Sequence, residues 1–169
     1  RRKTAALFAA ACHGAALLHN ADHNTAEALH DYGMNLGSAF QLADDLLDYA
    51  DDPSLTGKNI GDDLNEGKIT LPLLHAMKVG DERDRRIVGE ALRHKDGGAF
   101  AEVMSVVQRT GGLDATRQAA IQHQQQATHA LDQLEHKVWL PLMMMLMVVM
   151  VVVMMMVVVM VVMMMLLLM

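Results

Sequence analysis

From Thr25 to Ala50 the chain runs without a proline and with apolar residues recurring at helical spacing, so it is committed to one long helix that Pro53 closes. The end of that helix, AFQLADDLLDYADD, carries five carboxylates among leucines and alanines. Aspartate is a poor helix-interior residue, and like charges one turn apart repel by a few tenths of a kcal/mol. A helix tolerates such a run only if something offsets the cost. At about 100° per residue, Gln41, Asp44, Asp45 and Asp48 fall within a wedge of roughly 100°, while Ala39, Leu42, Ala43, Leu46 and Leu47 cover the other side. Gly33 and Gly37 project onto nearly the acidic side and leave it without bulk, which predicts the close approach of something large. A solvated charged face would carry a mixture of lysine and glutamate instead. The wedge therefore reads as a cation site.

The rest of the chain is consistent with an all-α fold. Helices are predicted over Lys3 to Leu18, from Pro72 after Thr70, over Asp84 to Arg93, Ala99 to Gln108 and Leu113 to Glu135. No stretch shows strand alternation. Between Pro53 and Lys68, DDPSLTGKNIGDDLNEGK places Gly57, Gly61 and Gly67 among polar residues and reads as a mobile loop. Lys58 and Lys68 bracket it. Lys3 and Thr4 offer an ammonium and a hydroxyl at a helix start, where free backbone N–H groups favour anions. With a divalent metal on the aspartate wedge, these groups would clamp a diphosphate. Mg²⁺ suits the arrangement because it is commonly held by one or two carboxylates plus substrate phosphates.

Composition excludes several classes. The net charge of −6 has no basic block, so nucleic acid is not an expected partner. The single cysteine, Cys12, rules out an internal disulfide, fits a reducing compartment and belongs in a core. His19 and His23 have i, i+4 spacing, but HNADHN reads as a polar inter-helix loop, and HQQQATH from His123 as a solvated helix face. Two regions follow: residues 1–138, helical, and residues 139–169. From Met143 onward the latter uses only Met, Val and Leu and holds thirteen of the sixteen methionines. Its length of about 40 Å as a helix exceeds a bilayer core of about 30 Å, so hydropathy alone predicts a membrane span. The three-letter alphabet and the absence of a basic cluster after it favour a low-complexity or non-native extension that carries no chemistry.

FQLADDLLDY followed by GKNIGDDLNEGKITLPLLHAM resembles the second aspartate-rich region of the trans-polyprenyl diphosphate synthases, the long-chain bacterial, octaprenyl diphosphate synthase-like type. The resemblance runs from about Lys3 to Glu135. It implies the second, C-terminal half of an isoprenoid synthase-type helical bundle, ending in the apolar extension. The implied enzyme is a prenyltransferase that ionises an allylic diphosphate with Mg²⁺ and elongates it with isopentenyl diphosphate to a long-chain all-trans product. Asp44 and Asp48 would be metal ligands with Asp45 in support. Lys3, Thr4, Gln41, Lys58 and Lys68 would contact the diphosphate, with Lys58 stabilising the leaving group, and Phe40 would border the isoprenoid pocket or pack in the core. A homodimer in the cytoplasm is implied for the intact enzyme, with membrane contact through the tail left open. The family's first D-D-x-x-D motif is missing from this sequence, so the chain alone is expected to be inactive. The competing expectation is a non-catalytic regulatory subunit of a heteromeric synthase, against which the intact aspartate wedge argues.

Overall fold

The computed structural model describes residues 2–49, 62–95, 97–132 and 134. Lys58 and the whole Met/Val/Leu tail lie outside the described residues, as do Pro53, Gly57 and Gly61. Among the described residues the secondary structure is entirely helical: α1 Arg2–Leu18, α2 His23–Leu47, α3 Asp62–Asn65, α4 Leu71–Val79, α5 Glu82–His94, a 3₁₀ turn at Gly97–Ala99, α6 Phe100–Arg109 and α7 Gly112–Asp132. They divide into two compact units, one formed by Ala39–Gln122 and the other by the flanking segments.

In the flanking unit α1 meets the first part of α2 along a seam of small residues. Ala5, Ala9, Cys12, Ala15 and Ala16 are buried on α1, and Ala26 and Leu29 on α2. A Cβ on Gly33 would stand 2.6 Å from the Phe8 carbonyl oxygen and 2.7 Å from Ala9 Cα, and one on Gly37 would stand 2.7 Å from Ala5 Cα. The two glycines do mark a close approach, but what approaches is the backbone of α1. That corrects the expectation that they leave the acidic side of α2 open to a ligand. Asp22 starts α2, its carboxylate accepting the Thr25 N–H at 2.8 Å and the Thr25 hydroxyl at 3.2 Å. Asn20 precedes it in the left-handed region at φ 53°. HNADHN is thus a turn and a cap. Cys12 is fully buried, and burial raises its thiol to about 11. His123 departs from expectation: it is partly buried and pairs with Asn35 at 2.9 Å, whereas the glutamines beside it are exposed.

In the Ala39–Gln122 unit α4, α5 and α6 pack around Leu73, Ala76, Val88, Ala91, Val103, Val106 and Val107, with Tyr49 and Leu64 joining the same core. Pro72 sits in the first turn of α4, where its missing N–H costs nothing. Thr70 precedes that helix without capping it, because its hydroxyl meets Tyr49 Oη at 3.1 Å in the interior. Helix α5 starts at Glu82, ahead of the sequence expectation, because Asp81 and Asp84 form a reciprocal capping box. Asp84 is buried and is gripped by both ends of the Arg109 guanidinium, at 2.5 and 3.1 Å. The Arg109 hydrogen bonds hold its carboxyl below the usual carboxylate range against the opposing effect of burial.

Candidate functional site

The last turns of α2 bury two of these acids, Asp45 and Asp48, together with Leu42, and leave Asp44 half-buried. Asp45 is 0% exposed and Asp48 5%, while Ala43 is exposed and Leu47 49% exposed. An unpaired buried carboxylate would cost several kcal/mol, so each must have partners. Gln41, one turn back, aims its side-chain amide at both neighbours, Nε2 lying 3.3 Å from Asp45 Oδ1 and 3.4 Å from Asp44 Oδ2. Asp48 accepts the backbone N–H of Asp63 on both carboxylate oxygens, at 3.4 and 3.3 Å.

The positive charge comes from Lys68. Its Nζ donates to both Asp63 oxygens at 2.8 and 2.9 Å and lies 3.5 Å from Asp45 Oδ1. Burial pulls the ammonium down, but the Asp63 hydrogen bond and the charges of Asp63, Asp45 and Asp44 together hold it above an ordinary lysine. Beneath this cluster lies the Tyr49–Thr70 hydroxyl pair. Burial raises the Tyr49 phenol, and the charges of Asp48, Asp63 and Asp45 add to that against the Thr70 hydrogen bond.

Sequence reasoning missed Asp63 and its helix. Residues 62–65 form the short helix α3 where a loop is expected, and Leu64 anchors it in the core at 2% exposure. The available signal was a lone leucine among polar residues, too little for a periodic pattern. The other expected site residues are placed as follows. Phe40 is 56% exposed, which sets aside the expectation of ordinary core packing. Lys3 is exposed and Thr4 half-buried, both on α1 in the flanking unit. A cavity of about 620 Å³ lined by Arg83, Arg86, Ile87, Glu90, His94 and neighbours shares no residue with the carboxylate cluster.

The cluster's donors are hard carboxylate oxygens, the chemistry Mg²⁺ takes. Among the described residues no three His, Cys, Asp or Glu come together as a group that could hold a metal by themselves. An ion held here would take one or two of these carboxylates and complete its shell from water and phosphate.

The sequence signature of the family described as "Polyprenyl synthetase" matches residues 1–110. This chain belongs to the polyprenyl synthetase family. Octaprenyl diphosphate synthase of Escherichia coli is 44% identical over 138 residues, covering 81% of this chain and 43% of that protein. An all-trans-nonaprenyl-diphosphate synthase (geranyl-diphosphate specific) of Rhodobacter capsulatus is 36% identical over 137 residues, 81% of this chain and 42% of its own. Among solved structures, a polyprenyl synthase from Caulobacter crescentus complexed with calcium and isoprenyl diphosphate matches with a TM-score of 0.73 and 40% identity, covering 85% of this chain and 44% of that one. This polyprenyl synthetase chain thus spans less than half the length of the relatives it matches.

Proposed function

We propose that this chain is the diphosphate-binding part of a prenyltransferase that elongates an allylic diphosphate with isopentenyl diphosphate to a long-chain all-trans polyprenyl diphosphate. The observation that carries the proposal is the buried pair Asp45 and Asp48 with Lys68 beside it: two carboxylates removed from water on one helix face, with an ammonium 3.5 Å from the first. Burying charge at that density is costly and calls for a ligand function. The relative bound to calcium and isoprenyl diphosphate supports the pairing of a divalent ion with a diphosphate in this fold.

Asp44 and Asp48, with Asp45 in support, would hold Mg²⁺, which when bound supplies positive charge where the leaving diphosphate gains negative charge. The protein's own part is positional. Gln41 fixes the orientation of Asp44 and Asp45, the Asp63 backbone fixes Asp48, and Lys68 offers its ammonium to a phosphate oxygen. Lys58, Lys3 and Thr4 would add contacts to the diphosphate, and the exposed ring of Phe40 would border the isoprenoid chain. The intact enzyme would act as a homodimer.

Because the sequence holds one D-D-x-x-D element, the 169-residue chain alone should incorporate no labelled isopentenyl diphosphate. Fusion or co-expression with the N-terminal half of a related synthase should restore prenyl transfer. In that complex Asp44→Asn or Asp48→Asn should lower turnover at least tenfold, about 1.4 kcal/mol of barrier, while leaving the thermal melt in place. Full turnover surviving both substitutions would refute the site.

A further inference from the structure

Lys68 reaches the carboxylate cluster because of how α3 ends. Two residues past the end of that helix, Gly67 stands in the left-handed region at φ 72°. Its N–H donates to the Leu64 carbonyl at 2.9 Å, and the next N–H, that of Lys68, donates to the Asp63 carbonyl at 2.8 Å. This nested pair of bonds reverses the chain and brings the residue after the glycine back over the last turn of the helix. A turn of this kind puts the two side chains at its outer bond together, most often as an apolar contact. Here those two are Asp63 and Lys68, and the contact is ionic: Nζ donates to both Asp63 oxygens at 2.8 and 2.9 Å and lies 3.5 Å from Asp45 Oδ1. A lysine stem is flexible, so the backbone that fixes where it starts selects where its charge ends.

Glycine is needed at this point for its backbone more than for its size. The left-handed region disfavours side chains, asparagine least and β-branched residues most. A Cβ at residue 67 would lie 3.3 Å from Lys95 Cε, 3.4 Å from Lys95 Cγ and 3.4 Å from the Leu92 carbonyl oxygen. The closest of these is the far end of an exposed side chain, which can give way, so φ is the stronger constraint.

We infer that Gly67 is a positioning residue: its left-handed turn aims the Lys68 ammonium at the carboxylate cluster and thereby sets the affinity for diphosphate, acting through Lys68. This rests on the diphosphate-site reading above, in which Lys68 meets a phosphate oxygen.

A ³¹P NMR titration of inorganic pyrophosphate in excess Mg²⁺ with the 169-residue chain tests it as a double-mutant cycle. Lys68→Gln should weaken binding about tenfold, the loss of one charge-assisted hydrogen bond. Gly67→Val, which puts a β-branched residue where φ is 72°, should weaken it about as much, and the two substitutions together no further than either alone. Gly67→Asn, which keeps the left-handed turn, should stay within about twofold of the unsubstituted chain. A glycine that served stability alone would leave the affinity of the folded Gly67→Val chain unchanged, or its effect would multiply with that of Lys68→Gln. Either result overturns the inference and leaves the site standing, as does a loss in Gly67→Asn equal to that of Lys68→Gln. If Gly67→Val does not fold, Gly67→Ala takes its place in the same cycle with an expected loss of about threefold, and unchanged binding by the alanine chain overturns the inference. An unsubstituted chain that binds no pyrophosphate, or a Lys68→Gln chain that binds it as well as the original, overturns the site reading and the inference with it.

Discussion

Replacing Gly33 by alanine adds a single methyl group at the tightest point of the α1–α2 seam. Its carbon would lie 2.6 Å from the Phe8 carbonyl oxygen, 2.7 Å from Ala9 Cα and 2.8 Å from Ala9 N, all backbone atoms that cannot rotate away. Relief therefore requires α1 to move by the better part of an ångström, which loosens the packing of Ala9 and Cys12. Overpacking of this kind costs about 1–3 kcal/mol, and rigid neighbours place it in the upper part of that range. Against it stands the helix preference of alanine over glycine, about 1 kcal/mol. The net expectation is a loss of about 1–2 kcal/mol. Gly14 is the internal control, for it lies on α1 with nothing within 4 Å of a Cβ, so Gly14→Ala should show the helix gain alone. Urea titration followed by circular dichroism compares the two. Should Gly33→Ala prove as stable as the unsubstituted chain or more so, α1 is not seated on Gly33 as described.

Two titrations probe the ionisable groups of the interior. The depressed carboxyl of Asp84 contributes stability that is complete above the unfolded value near pH 4 and is lost as pH falls through the folded one, so the deficit of Arg109→Gln relative to the unsubstituted chain should shrink in an acid series of thermal melts. A constant deficit down to pH 2 would show that Arg109 acts by packing alone. Both tyrosines, Tyr32 and Tyr49, are raised, mainly by burial, so their stabilising effect is full below about pH 10 and is lost as pH rises through the folded values. Absorbance at 295 nm of a Tyr32→Phe chain should accordingly rise together with the alkaline loss of helix; phenolate formation near pH 10 in that chain while it is still helical would contradict the buried Tyr49–Thr70 pair.

The sequence made one thing about α2 plain and left another undecided. Spacing alone places Asp44, Asp45 and Asp48 on a common face, because helical geometry is local. Which face turns inward is a property of what packs against it, and here the interior receives Asp45 and Asp48 while Ala43 and Leu47 point outward. Hydrophobicity predicts the burial of Leu42, which holds, but not that of the two aspartates. The decisive partners, Lys68 and the Asp63 backbone, lie far along the chain from the acids they meet, where no periodicity reaches. The meaning of Gly33 and Gly37 was likewise half legible. Their lack of bulk shows in the sequence, but the alanine-rich α1 that fills the space is recognisable as their partner only once the two helices are seen together.

The tether between Asp48 and the Asp63 backbone has a consequence for how this region can vary. A carboxylate held by a main-chain N–H is indifferent to the side chain that provides it but sensitive to where the chain passes. Any residue but proline at position 63 can therefore hold Asp48, whereas a change in the course of α3 turns that carboxylate away from its post with every amino acid of the α2 aspartate cluster still in place.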